Sequence, residues 1–471
     1  MVFSSLVFLC IFLPVVLILH TVIRNRKVQN GLLLAASLLF YAYGEPVYIL
    51  LMLASALCNY VIALLMEKRR TKLMIALAVA VNLALLGVFK YTGFLLTNLN
   101  AVFGVSIPVP EISLPIGISF YTFQALSYVI DVYRDQVAVQ KSYAKLLLYI
   151  SFFPQLIAGP IVRYKDVALE IDERTVDTRQ IAFGLRRFIM GLGKKVLIAN
   201  AMGAAADYIF NHGAANLNII GAWIGAIAYL MQIYYDFSAY SDMAIGLGKM
   251  FGFHFKENFN YPYIAGTVQE FWRRWHISLS SFFRDYVYIP LGGNRKGRVR
   301  TVLNRVIVFF LTGLWHGANW TFVIWGLFHG FFLLLEEFLP VIKKLPKALL
   351  HIYTLLAVTI GFVIFRADSI LEAGIYISKM FSGFDFSAAT MSFTIQALTP
   401  YFIVMLVAAI VGCGPIARFA DRVRMLEQKE ALSQRENTVQ TATFVLAGVL
   451  LVWCMIRLAG GSYNPFIYFR F

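Results

Sequence analysis

Apolar stretches of bilayer length recur along the chain, separated by short loops that alternately carry and lack Lys and Arg. Residues 3–21 make a first run of roughly the 20 residues needed to cross a bilayer, and Arg24, Arg26 and Lys27 follow it. Residues 31–43 form the next run. Gly44, Glu45 and Pro46 then turn the chain, and residues 47–66 lead to a second basic cluster, Lys68, Arg69, Arg70 and Lys72. Residues 73–89 are apolar again. Lys and Arg collect in cytoplasmic loops, so both clusters are expected inside and the N-terminus outside. No train of alternating short strands of the outer-membrane barrel type is present, and the elements are expected to be helices.

Farther along, the pattern becomes less regular. Residues 98–113 read as an external loop. Residues 143–164 contain FFPQLIAGPIVRY, in which Pro154, Gly159 and Pro160 interrupt the apolar run. Broken backbone at membrane depth requires cover from protein or a wet cavity, so a re-entrant or interfacial segment is expected. Residues 180–200 carry Arg186, Arg187, Lys194 and Lys195 in an amphipathic pattern and are expected along the membrane surface. Residues 269–294 are aromatic-rich and too charged for a lipid-exposed span. Arg295, Lys296, Arg298, Arg300 and Arg305 follow a Gly-Gly turn and mark a cytoplasmic loop, from which residues 309–315 enter the membrane. Further spans fall at 318–339, 350–365, 402–416 and 439–458. The count is roughly 11 transmembrane helices, with one or two re-entrant or interfacial pieces. The expectation is an all-α polytopic membrane protein, with a single membrane domain over residues 1–471 and a short extracytoplasmic tail over 459–471.

Composition agrees with this reading. Hydrophobic residues are 60% of the chain and charged residues 14%, against about 45–50% and about 25% in soluble domains. The net charge of +16, from 41 Lys and Arg against 25 Asp and Glu, is explained by basic cytoplasmic loops facing anionic lipid, and nucleic-acid binding is not expected. The four cysteines lie singly in apolar stretches and indicate neither disulfides nor a metal site. The first 20 residues lack a basic leader before their apolar run, so they read as a retained helix rather than a cleaved signal.

Within this apolar background a few polar residues stand out. The stretch 312–322, TGLWHGANWTF, holds His316 between Trp315 and Trp320. An imidazole inside membrane-length sequence is costly unless it is satisfied or lines a wet cavity. His276, in RRWHIS, is likewise beside a tryptophan, and His329 lies within a span. Asp236 and Asp242, in YYDFSAYSD, are carboxylates in apolar sequence; they either line a cavity or bridge helices. No HExxH and no third histidine at ligand spacing is present, so no metal is expected. General base catalysis needs only one imidazole near a hydroxyl. Neutral His316 among Trp315, Trp320 and Trp325 is in the form that accepts a proton. His276 or Asn319 could then bind the carbonyl of an activated acyl group or hold the acceptor. Histidines that merely bridge helices remain the alternative.

Five segments carry a resemblance: LPIGISFYTFQALSYVIDVYR (114–134), FFPQLIAGPIVRY (152–164), YYDFSAYSDMAIGLGKMFGF (234–253), FWRRWHISLSSFFRDYVYIPLGGN (271–294) and TGLWHGANWTF (312–322). Together they resemble the membrane-bound O-acyltransferases, in the bacterial branch that includes the alginate O-acetyltransferase membrane subunit and the transferase of teichoic-acid D-alanylation. The resemblance implies a funnel-shaped helical fold in a bacterial cytoplasmic membrane. It implies that His316, in the WHG motif, is catalytic and that His276 is functional; Trp315, Asn319, Asp236 and Asp242 are substrate-tunnel candidates by their place in the sequence. It also implies an acetyl-CoA donor in the cytoplasm, no bound cofactor, a polysaccharide acceptor outside, and a soluble extracytoplasmic acetyltransferase partner.

The chain ends GSYNPFIYFRF. This tail resembles the end of a small membrane partner in D-alanylation systems, which makes Tyr468 an acyl-carrier candidate; an aromatic interface anchor is the alternative. Three other functions compete: D-alanyl-type transfer to a teichoic acid, a transporter or flippase with Asp236, Asp242 and the histidines along its path, and a non-catalytic scaffold.

Overall fold

The computed structural model describes residues 1–429, 431–461 and 463–467. Every regular element among them is helical. An apolar chain in lipid has no water to satisfy its backbone, and a helix satisfies its own N–H and C=O groups except at its ends. Polar loop residues close several of those ends. Asn25 caps Arg26–Ala42, Thr71 caps Lys72–Leu86, and Ser433 and Glu436 form a reciprocal capping box on Gln434–Ala459.

Six helices among the described residues are long and apolar enough to cross a membrane: Ile49–Lys68, Lys72–Phe103, Thr178–Phe210, Trp320–Phe338, Lys347–Arg366 and Gln434–Ala459. The pair Ala388–Ala397 and Pro400–Cys413, bent by 62°, makes a seventh if taken as one span. The sequence pattern gives a larger number because it also counts runs that fold as shorter helices. Phe8–Val22 is a short apolar helix, Arg26–Ala42 has 17 residues, and Ile118–Tyr133 has 16.

The chain divides into two compact units, Met1–Phe188 with Asp242–Lys256, and Ile189–Ser241 with Glu257–Phe471. In the first, Phe8, Phe12, Phe40 and Phe153 form an aromatic core, with Phe12 and Phe153 edge to face at 5.3 Å. The expected break is present. Tyr143–Ser151 stops at Phe152, a single turn runs over Phe153–Leu156, and the buried chain to Arg163 is not helical. Pro154 has no N–H to extend the preceding helix; it falls in the first turn of the new one, and the break lies at Phe152, whose ψ of 111° is not helical.

Residues 180–200 depart from expectation. They belong to a continuous apolar helix, Thr178–Phe210, of 33 residues, and Lys195 is only 2% exposed. Two of the helix's basic residues have carboxylate partners. Arg187 meets Asp242 at 2.9 Å in the first unit, and Lys195 meets Asp236 at 2.7 Å in the second.

Six helices of the second unit concern the site: Ile219–Met250, which enters this unit through Ser241, then Val268–Arg274, Ile277–Phe283, Arg298–His316, Trp320–Phe338 and Lys347–Arg366. The helices Arg298–His316 and Trp320–Phe338 approach almost backbone to backbone. A Cβ on Gly313 would lie 2.3 Å from the Phe322 carbonyl oxygen, and one on Gly326 would lie 2.2 Å from that of Phe309. Small residues at such a crossing are how membrane helices gain close packing without a hydrophobic driving force.

Candidate active site

His316 is the last residue of its helix, and Gly317 follows in extended backbone. The glycine is required sterically, since a Cβ there would fall 2.1 Å from the Phe322 ring. The WHG sequence therefore ends a helix and turns it sharply into Trp320–Phe338, leaving the imidazole at the helix tip. Its ring is 9% exposed. It meets Trp315 at 4.8 Å, Trp325 at 5.0 Å and Phe365 at 5.2 Å, all edge to face. Trp320, expected in this enclosure, is instead 47% exposed at the start of its helix, and Phe365 takes the third wall.

His276 sits at a bend between two short helices. Its backbone is left-handed, φ 43° and ψ 55°, a conformation uncommon for a residue with a side chain. Strain of this kind persists where the surroundings over-determine it, and it clusters at functional positions. Those surroundings include Glu336, a buried carboxylate that accepts from the backbone N–H groups of Val268 (2.6 Å) and Gln269 (3.0 Å) and so fixes the start of Val268–Arg274. On the other side, Ile277 N donates to the Asn258 carbonyl at 2.9 Å.

Asn258 also sets the His276 ring. Its Oδ1 accepts from the Ser278 backbone N–H at 3.1 Å, and its Nδ2 donates to Ser241 Oγ at 3.0 Å. A backbone N–H can only donate, so the amide orientation is fixed. His276 Nδ1 lies 3.2 Å from that same Oδ1 and must carry the hydrogen. In the neutral ring, Nε2 is then the acceptor. Nε2 is buried, with no hydrogen-bond partner among the described residues.

The two histidines are brought together through Trp315, whose ring is 5.9 Å from His276 and 4.8 Å from His316. The row continues on the far side. Trp325 touches His316 at 5.0 Å and His329 at 5.2 Å. His329 is fully buried, and neither ring nitrogen has a hydrogen-bond partner among the described residues.

A pocket of about 160 Å³ opens beside this enclosure, lined by Tyr229, Asn319, Thr321, Phe365, Arg366 and Asp368 among others. Phe365 is shared between the pocket and the wall of His316. Asn319 is committed structurally. Its Oδ1 caps the helix at Thr321 N (3.1 Å), and its Nδ2 donates to the Asp368 carbonyl (3.1 Å). It thus shapes the pocket wall. Asp236 is ion-paired with Lys195 and Asp242 with Arg187. Tyr468 lies outside the described residues. Asn258 and Phe365 were not singled out from sequence: one is 18 residues before His276 and the other lies on a separate helix, so only folding brings them in.

A helical membrane protein with two buried histidines across one tryptophan, enclosed by aromatic rings, has the makings of a proton-transfer enzyme working within a membrane. Residues 119–365 match the membrane-bound O-acyltransferase family, and the chain belongs to that family. It is 39% identical to the probable alginate O-acetylase AlgI of Azotobacter vinelandii over the whole of both chains. It is 45% identical to the Pseudomonas aeruginosa protein of that name over 81% of this chain and 75% of the relative. It is 36% identical to the peptidoglycan O-acetyltransferase of Helicobacter pylori over 80% of this chain and 79% of the relative. The protein is a membrane O-acyltransferase.

Proposed function

We propose that the protein transfers an acetyl group from cytoplasmic acetyl-CoA for O-acetylation of an extracytoplasmic polysaccharide, in a bacterial cytoplasmic membrane with the N-terminus outside. The observation that carries this reading is the arrangement His276, Trp315, His316, because it puts two imidazoles in one aromatic enclosure next to a pocket. The names of the relatives support acetyl as the acyl group and an envelope polymer as the acceptor.

His316 is the general base. It takes the proton of an acceptor hydroxyl as the oxygen attacks the thioester carbonyl. The C–O bond forms, the C–S bond breaks, and the thiolate of CoA takes the proton back from the imidazolium. His276, with Nδ1–H turned to Asn258, presents an acceptor nitrogen. It therefore does not donate to the carbonyl, and because the one hydrogen of the attacking hydroxyl goes to His316, it holds the acceptor by taking a hydrogen bond from a second hydroxyl. Asn319, engaged as a cap, shapes the acceptor side.

Topology supports two-sided access. The helix Arg298–His316 starts beside the exposed Arg295 and Lys296 and ends at the base 18 residues later, about 27 Å at helical rise. Lys347–Arg366 runs from Lys343, Lys344 and Lys347 to the pocket residue Arg366. By the positive-inside rule the basic ends face the cytoplasm and CoA, and the pocket faces the acceptor. The ion pairs of Asp236 and Asp242 weigh against the transporter alternative, which needs those carboxylates on a path. The acceptor is reached directly or through a soluble acetyltransferase partner, with Tyr468 as the acyl carrier between the two. The test is intact-mass measurement of the purified protein after incubation with labelled acetyl-CoA. An acetylated species lost in Tyr468→Phe supports the carrier, and a labelled species that survives in Tyr468→Phe rejects it.

A further inference from the structure

The buried ion pair of the second unit is aimed at the end of the chain. Lys195 and Asp236 meet at 2.7 Å, with side chains 2% and 1% exposed. Burying two ions costs several kcal/mol each before their attraction is counted, and intramembrane ionisable groups mark functional positions. Pairing uses only part of their capacity, since an ammonium has three donors and a carboxylate about four acceptor sites. The remainder goes to backbone. Lys195 Nζ donates to the Pro465 carbonyl. Asp236 Oδ2 accepts from the Ile467 N–H at 2.9 Å.

Between these two anchors Phe466 lays its ring on Tyr240 at 4.2 Å, and Phe466 and Ile467 are each 6% exposed. Upstream, Asn200 Nδ2 donates to Asn464 Oδ1 at 3.1 Å, and the Tyr463 hydroxyl donates to Asp207. A non-helical segment must find partners for its backbone when buried. Here one cation and one anion supply a donor and an acceptor on either side of a single aromatic residue.

We propose that Lys195 and Asp236, with Tyr240 and Asn200, form a binding seat for an extended aromatic peptide, and that its occupant is the chain's own segment 463–467. The seat fixes segment 463–467 on the helix Ile219–Met250, at Asp236 and Tyr240; the intervening Phe237 has its ring 4.5 Å from His276. The pair is a positioning device for the tail, and it stands whichever acyl group is transferred and whichever histidine acts.

Backbone hydrogen–deuterium exchange of the full-length protein in micelles tests this without reference to activity. Segment 463–467 is expected to exchange at least about tenfold more slowly than the same sequence as a free peptide, the protection that one charge-assisted hydrogen bond supplies. The paired substitution Lys195→Met with Asp236→Leu leaves no lone buried charge and is expected to bring the segment to the free-peptide rate. Protection unchanged in that variant overturns the proposal, as does a wild-type segment exchanging at the free-peptide rate. If the paired variant does not fold, Asn200→Ala replaces it. That variant is expected to speed exchange of residues 463–467 severalfold, and unchanged protection there contradicts the seat.

Discussion

Nδ1 of His276 lies 3.2 Å from Oδ1 of Asn258, and this contact decides which nitrogen of the histidine is left to accept a proton. The same oxygen takes the Ser278 N–H and hydroxyl, so one asparagine fixes both the ring and the first turn of the helix after it.

Removing that orientation should be costly for the reaction. Asn258→Ala is expected to lower kcat by about 10–100-fold, the usual effect of losing a residue that orients a functional imidazole, with KM for acetyl-CoA changing little. Steady-state kinetics on membranes carrying equal amounts of each variant would check it. A kcat within twofold of wild type would leave Asn258 a loop tie only.

The backbone contact between the two helices that carry the WHG turn makes a second prediction. Gly326→Ala places a methyl against the Phe309 carbonyl and should cost about 1–3 kcal/mol, the range for overpacking, while displacing His316 and lowering activity. Gly374→Ala is the control. It lies in Ile370–Ser382 with nothing within 4 Å of an added Cβ, and should stabilise by about 0.5–1 kcal/mol. Thermal unfolding in detergent should separate the two in sign.

A third prediction concerns pH. The Glu170 carboxylate, 2.8 Å from the ring of His254, raises the His254 pKa above its usual value through their hydrogen bond, against partial burial. A raised folded pKa contributes stability that is fully present below the unfolded value, about 6.5, and is lost as pH rises through the folded pKa. His254→Gln should therefore lower the unfolding midpoint more at pH 6 than at pH 9. The pair is largely exposed, so the difference should be on the order of 1 °C and should shrink in high salt. An equal effect at both pH values would contradict the pairing.

Much of the site is legible in the sequence because membrane sequence is so uniform. A histidine among tryptophans draws notice there, and the structure encloses His316 between Trp315, Trp325 and Phe365. Pro154 likewise marks the break at Phe152, since proline acts locally. What stays hidden depends on partners distant in the chain. Lys195 reads as a surface cation until Asp236, 41 positions on, is brought against it. Trp320 and Trp325 look equivalent by composition, but helix rotation exposes the first and buries the second. Apolarity reports burial as well as membrane: Ile118–Tyr133, 16 residues long, is buried by protein and is shorter than the six candidate spans of 19 to 33 residues.

The central claim is that His316 is the base of acetyl transfer. The direct measurement is the rate of transfer of labelled acetyl from acetyl-CoA to envelope polymer, in membranes carrying wild type or His316→Ala at matched amount and matched thermal stability. Loss of a general base predicts a fall of at least about 100-fold with His316→Ala. Transfer at the wild-type rate by the folded variant would contradict the account.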